Sequence, residues 1–148
     1  MQRFFVWVPC LMIVALGVVV GAQAKVTTPE EHAAVMKANA GAVGPMNKAI
    51  GSGAFADART QVATLRQNFI GLQGFWASKK KDDAVAIVKD GLTRLDALDK
   101  ILAAPAPDQM AAQAAAKEFA GATCGACHKL YRDGDGKATP YTFKPGVL

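Results

Sequence analysis

One apolar seam constrains the fold of this chain more than any other feature of its sequence. Between residues 55 and 76 the apolar side chains recur in alternating steps of three and four, at Phe55, Ala58, Val62, Leu65, Phe69, Leu72 and Trp76. This spacing keeps all of them on one face of an α-helix, whereas a half-buried strand needs steps of two. The seam therefore predicts a long helix over 55–77 that packs against partner helices.

A second predicted helix, over residues 28–50, precedes the seam. It opens with Thr-Pro-Glu-Glu, which is typical of a capping box with proline at the first helical position. Gly44-Pro45 inside this segment predicts a kink or a break, because proline lacks a backbone donor and crowds the preceding turn. Its apolar stripe contains His32, Met36, Ala40, Val43 and Met46.

Two further helices are predicted over residues 82–102 and 108–132. The first of these has two aspartates in its opening turn, which suit the positive end of a helix, and the second follows a Pro-rich connector. The tail over 133–148 has no helical period. Four amphipathic helices with short connections predict an all-α protein, an antiparallel four-helix bundle. The alternative is an irregular helical domain whose first helix is split in two.

Residues 1–24 predict a secretory signal peptide. An almost unbroken apolar run over 4–21 follows a basic start, and residues 22–24 give the small-x-small pattern of a cleavage site. The alternative is a retained anchor, because the run is close to the shortest bilayer span. Pro9 within the run and the absence of a basic cluster after it favour cleavage. We therefore expect export to the periplasm and one mature domain over 25–148.

Cys124-Gly125-Ala126-Cys127-His128 is the strongest motif of the chain. C-x-x-C-H is the attachment signature of c-type haem. Because residues three and four apart share a helix face, Cys124, Cys127 and His128 can all point to one surface. The two thiols can add across the haem vinyl groups, and the imidazole becomes an axial iron ligand. The motif predicts one covalent haem c.

Three other interpretations of this motif are open. A zinc site would need a fourth ligand, and the other histidine of the mature chain, His32, lies far upstream. A thiol–disulfide exchange pair is expected at a helix start in a strand-bearing fold, not near the end of a helix. A structural disulfide between residues three apart on a helix has poor geometry.

A helical bundle whose last helix ends in C-x-x-C-H-x-x-Y-R resembles the class II cytochromes c, the cytochrome c-prime family. The residues that carry the resemblance are Cys124, Cys127, His128, Tyr131 and Arg132. The leader, the Pro-rich last connection and the position of the motif near the C-terminus agree with it. The resemblance implies a four-helix bundle around one covalently bound haem c.

Members of this family differ on the far side of the haem. Some leave the sixth iron position open and bind small gases, while others present a methionine and resemble low-spin electron carriers. Alignment by the Pro-Glu-Glu start of the first helix puts Met36 near that position, so the resemblance implies iron ligation by His128 and Met36. The alternative for Met36 is a core methionine. His32 replaces an arginine common in the family and is expected beside the haem propionates, with iron ligation as its alternative.

These features predict a periplasmic mono-haem cytochrome that carries one electron between redox partner proteins and is not an enzyme. The rival prediction is a five-coordinate haem protein that binds or scavenges NO or CO. Export and the lack of a recognisable nucleic-acid-binding motif disfavour nucleic acid as a partner. No membrane attachment is expected after cleavage, and a homodimer is left open by analogy with the family.

Overall fold

The computed structural model of this chain describes residues 25–134 and 142–148, so the predicted signal peptide lies outside the described residues. The helices that it contains are α1 (Pro29–Gly51), α2 (Phe55–Ser78), α3 (Asp82–Leu102), α4 (Gln109–Phe119), a π-helical segment (Ala120–Gly125) and α5 (Ala126–Tyr131). Because α4, the π segment and α5 follow one another directly, they make a fourth long helix. Besides helices, the described residues contain one isolated antiparallel β-bridge, between Arg132 and Phe143.

The four long helices pack side by side in cyclic order. α1 packs against α2, α2 against α3, α3 against α4, and α4 against α1, while the backbones of diagonally opposite helices do not approach each other within the described part of the chain. Short connectors at residues 52–54, 79–81 and 103–108 reverse the chain at each step. The predicted all-helical bundle is thus confirmed.

The start of α1 is the predicted capping box. The Thr28 hydroxyl accepts a hydrogen bond from the Glu31 backbone at 3.2 Å, and the Glu31 carboxylate accepts from the Thr28 backbone at 3.1 Å. This reciprocal pair satisfies amide groups that have no partner within the helix. It fixes the point at which α1 begins, and with it the register of the residues that follow.

The sequence predicts a kink or a break at Gly44-Pro45, and the break is wrong, because α1 continues through both residues to Gly51. Pro45 removes one helical hydrogen bond, that to the carbonyl of Gly41. Gly41, Gly44 and Pro45 are all exposed. Water can therefore satisfy the freed carbonyl, and the missing bond does not end the helix.

The seam on α2 forms the centre of the core. Its residues from Ala58 to Trp76 are buried, as predicted, and Phe75 joins them although it lies outside the spacing. Phe55, at the first turn, is only partly buried. The rings of Phe69 on α2 and Phe119 on α4 lie 5.4 Å apart between centroids. The side chains of the seam therefore contact the diagonally opposite helix.

Gly91 brings α3 close to the π segment. A Cβ at this position would lie 2.5 Å from Cγ2 of Thr123 and 3.0 Å from Cε1 of Phe69, both closer than normal packing allows. The hydrogen atom of glycine is what leaves room for Thr123 at this crossing. None of the helices in the described residues combines the length and apolar character that a bilayer crossing requires.

Candidate functional site

A cavity of about 370 Å³ lies inside the bundle, at the end where α2 finishes and α3 begins. This volume is within the range of small-molecule sites, about 300–1,000 Å³. Its walls come from all four long helices and from the tail, and most of the lining side chains are apolar. The lining residues are His32, Met36, Asn39, Ala40, Val43, Phe69, Leu72, Trp76, Ile87, Val88, Ala120, Thr123, Cys124, Cys127, His128, Tyr131, Arg132, Thr142 and Phe143.

The four predicted site residues all line this cavity. Cys124 comes from the π segment, Cys127 and His128 come from α5, and Met36 comes from α1 on the neighbouring wall. Each of these side chains is partly buried. The cavity is therefore bordered by two thiols, an imidazole and a thioether that are up to 92 residues apart in the sequence.

The π segment is a local feature that the helical period does not predict. Over Ala120–Gly125 the chain departs from the α-helical pattern and returns to it at Ala126. A π turn changes the direction of the side chains that follow it relative to those before it, and such turns are frequent at functional sites. Cys124 lies inside this segment and Cys127 just after it, so the π turn sets the relative orientation of the two thiols.

Burial governs the chemistry of both thiols. It raises the pKa of Cys124, and together with the neighbouring Cys124 and Asp83 it raises the pKa of Cys127 to about 11. Both cysteines are free and remain protonated at neutral pH. A reactive exchange cysteine needs the opposite shift, to a low pKa that gives the thiolate. These environments oppose the thiol–disulfide exchange interpretation.

Burial also keeps the motif histidine neutral. Desolvation, followed by the positive charge of Arg132, lowers the pKa of His128 below its usual 6.5. A neutral imidazole is the form that binds a metal ion. Among residues 25–134 and 142–148, no three His, Cys, Asp or Glu side chains form a group that could hold a metal ion by themselves.

His32 lies in an aromatic cage of three rings. Its ring centroid is 4.8 Å from that of Phe75, 5.4 Å from that of Trp76 and 4.9 Å from that of Phe143. Burial, and to a lesser extent repulsion from His128 in its protonated form, lowers the pKa of His32 to about 4. At neutral pH this residue is thus an uncharged member of the cavity wall, unlike the arginine of the resembled family.

The C-terminal tail is part of the cavity wall, which the sequence pattern does not predict. Asp133 donates a backbone hydrogen bond to Thr142 at 2.9 Å, and Lys144 donates one to Tyr131, also at 2.9 Å. These bonds hold Phe143 against Phe75 and Trp76. The tail thereby closes the cavity on the side of His32.

Tyr131 connects the end of α5 to α3. Its hydroxyl donates a hydrogen bond to the Asp83 carboxylate, and its ring lies 4.6 Å from that of Trp76. That bond lowers the pKa of Asp83, while burial raises the pKa of Tyr131. The Tyr131 side chain therefore joins α5, the helix that carries Cys127 and His128, to α3 and α2.

Three polar side chains are buried among the described residues, and all three line the cavity. They are His32, Asn39 and Thr123, with exposed fractions of 8%, 7% and 1%. The Thr123 hydroxyl has no hydrogen-bond partner, whereas the Asn39 side chain meets Asn68 of α2. Asn39 stands three residues after Met36, so its position on the same helix face could have been found from the sequence.

The chain matches no protein-family model, no curated protein and no solved structure. The resemblance to class II cytochromes c thus stays a prediction that rests on the motif and on its place in the bundle.

Proposed function

We propose that this protein is a periplasmic mono-haem c-type cytochrome that carries one electron between redox partner proteins. Cys124 and Cys127 would hold one haem c through thioether bonds, and His128 and Met36 would be the ligands of its iron. The observation that carries this proposal is that the thiols and imidazole of the C-x-x-C-H motif border the same apolar cavity as the Met36 thioether.

The residues of the cavity suit a porphyrin. Ring and aliphatic side chains from α2 and α3, among them Phe69, Leu72 and Val88, supply an apolar surface for the macrocycle. The thiols are protonated and free, as their addition to vinyl groups requires, and His128 is neutral. When bound, haem supplies an iron centre that accepts and releases one electron.

Met36 decides between a carrier and a gas-binding protein. It lies on α1, which begins at the capping box and packs against α2, and it is partly buried against the core. A thioether is a soft ligand that favours ferrous iron more than a second imidazole does. Ligation by Met36 in both oxidation states would keep the coordination unchanged during electron transfer and leave no open position for CO or NO.

The predicted leader supports the assignment to the periplasm, because c-type haem is attached outside the cytoplasm. The partners proposed here are redox proteins of that compartment. The lysine run at residues 79–81 lies at the same end of the bundle as the cavity and can attract an acidic redox partner.

Spectroscopy of the matured protein tests the proposal. The protein is expressed with haem-maturation machinery, and its mass and its absorption spectra with and without CO are recorded. We expect the mass of the mature chain plus one haem, a low-spin spectrum, and little reaction of the ferrous form with CO. A mass equal to the polypeptide alone refutes haem attachment, and rapid CO binding to a high-spin form supports the gas-binding rival.

Two methionine variants assign the sixth ligand. Met36→Leu removes the thioether at the cavity wall, and we expect a high-spin, CO-reactive protein. Met46→Leu is the matched control, because Met46 lies on the same helix, is fully buried and does not line the cavity. A low-spin spectrum retained by Met36→Leu contradicts Met36 ligation and points to His32.

A further inference from the structure

Asn39 is a buried amide in a wall that is otherwise mainly apolar. Its side chain is 7% exposed and lines the cavity from α1. A buried amide loses its hydrogen bonds to water and needs partners in return. Asn39 has one such partner among the described residues, and that partner engages only one end of the amide.

The neighbour on α2 fixes the orientation of this amide. The Nδ2 group of Asn68 donates a hydrogen bond to Oδ1 of Asn39 at 2.8 Å, across the contact between α2 and α1. An amide whose oxygen is engaged in this way turns its NH2 group to the opposite edge. That edge is left with two N–H donors and no protein acceptor among the residues that the structure describes.

Met36 is the closest functional side chain on the same helix face. It precedes Asn39 by three residues, a spacing that makes side chains neighbours on a helix surface, and both residues line the cavity. A thioether sulfur is a weak acceptor, and it has a second lone pair when the first is bound to iron. The free donors of Asn39 and the free lone pair of Met36 thus border the same space.

We propose that Asn39 is a positioning residue for the sixth iron ligand, donating a hydrogen bond from its amide to the Met36 sulfur. This inference rests on the proposed function, because it needs Met36 on the iron. The hydrogen bond would select one rotamer of an otherwise flexible side chain. It also points the positive end of an N–H dipole toward the iron, which disfavours the ferric state and raises the reduction potential.

A purely structural role for Asn39 makes a different prediction. If this residue serves only to join α1 to α2, its replacement lowers stability and leaves the iron untouched. If it positions Met36, its replacement changes the potential and weakens the thioether ligand against an external competitor. The reduction potential and ligand competition therefore distinguish the two roles, whereas a melting temperature does not.

Asn39→Leu and Asn39→Asp test the inference in the haem-loaded protein. Leucine fills a similar volume without a donor, and aspartate keeps the shape but offers only acceptors. For both we expect a lower reduction potential than in the parent and tighter binding of imidazole to the ferric form, by roughly fivefold, which is the effect of one net hydrogen bond. Asn47→Ala, at an exposed position of the same helix, is the control and should leave both quantities unchanged.

The outcomes separate this inference from the proposed function. If the parent protein is low-spin and the Asn39→Leu variant has the same reduction potential and imidazole affinity as the parent, the role of Asn39 is overturned and the proposed function stands. A parent that is high-spin and binds CO rapidly overturns Met36 ligation, and the role of Asn39 with it. If Asn39→Leu does not fold, the same comparison is made with Asn39→Asp, and parent-like values there overturn the inference.

Discussion

The imidazole of His32 and the ring of Phe143 lie 4.9 Å apart between centroids, and this contact joins the first helix of the bundle to the C-terminal tail. The two residues are separated by almost the whole described chain. Phe143 also meets Phe75 and Trp76, so it completes a cage whose other rings come from α2. The tail is therefore a structural element of the cavity.

Replacement of Phe143 tests this role of the tail. Because Phe143 is partly buried, we expect Phe143→Ala to lower the free energy of unfolding by about 2 kcal/mol, less than the loss for a fully buried phenylalanine. The change admits water to the cage, so the pKa of His32 should rise toward its ordinary value of 6.5. Denaturant titration and proton NMR of the ferrous protein measure the two effects.

Phe55→Ala provides the comparison for that experiment. Phe55 is also partly buried, but it lies at the opposite end of α2 and does not line the cavity. Its loss should lower stability and leave the titration of His32 unchanged. Equal His32 titrations in Phe143→Ala and the parent would show that the tail does not shield the cage.

His32 itself makes stability depend on pH. The fold lowers the pKa of His32 from 6.5 to about 4. Between pH 6.5 and pH 4, the unfolded chain therefore binds a proton at His32 that the folded chain does not bind. The contribution of the neutral imidazole is complete above about pH 6.5 and is lost as the pH falls toward 4, and the total loss is about 3 kcal/mol. His32→Phe cannot take up this proton. We expect its free energy of unfolding to fall less than that of the parent over this range, and parallel curves would contradict the prediction.

Helical periodicity accounts for most of the fold that could be predicted. The seam of α2 and the cap of α1 are local patterns, and each specifies a helix through side chains close together in the sequence. The spacing of Cys124, Cys127 and His128 likewise predicts a common face, although it does not predict the π segment that sets the relative orientation of the two thiols. The placement of Met36 near them needed the family resemblance, because nothing local to α1 specifies which helix it faces.

The features that could not be predicted depend on tertiary contacts. Phe143 belongs to a segment without a period, and its partners lie on distant helices. The π segment at Thr123 coincides with the close approach of Gly91, a contact that the sequence of neither helix reveals. The break predicted at Pro45 is wrong for a related reason, since the free-energy cost of a proline inside a helix depends on whether the freed carbonyl reaches water.

The hydrogen bond from Tyr131 to Asp83 should be visible in acid titrations. This bond is the largest cause of the lowered pKa of Asp83, so Tyr131→Phe should return that pKa toward its ordinary value of 3.8. The stabilisation that the bond gives is present above this value and is lost as the pH falls through the lowered pKa. NMR titration of the carboxylates in parent and variant measures the shift. An unchanged pKa of Asp83 in Tyr131→Phe would mean that the bond does not form in solution.

The approach of α3 to the π segment makes Gly91 sensitive to a single methyl group. Gly91→Ala would bring its Cβ to 2.5 Å from Cγ2 of Thr123 and to 3.0 Å from Phe69, and both neighbours are buried. We expect a loss of about 2 kcal/mol in the free energy of unfolding, as for other overpacked cores. Gly74→Ala, on α2 with no atom within 4 Å of the added Cβ, should instead stabilise by about 0.5–1 kcal/mol, because alanine is the better helix former.

A double variant identifies the atom responsible for the Gly91 clash. Serine at position 123 lacks the Cγ2 methyl group, so Gly91→Ala combined with Thr123→Ser removes the shortest contact and keeps the hydroxyl. We expect the pair to be less destabilised than the sum of the two single variants, since they share one contact. Thr123→Ser alone should lose a small amount of packing. Denaturant unfolding of the four proteins measures the coupling, and strict additivity would mean that α3 and the π segment are farther apart than described here.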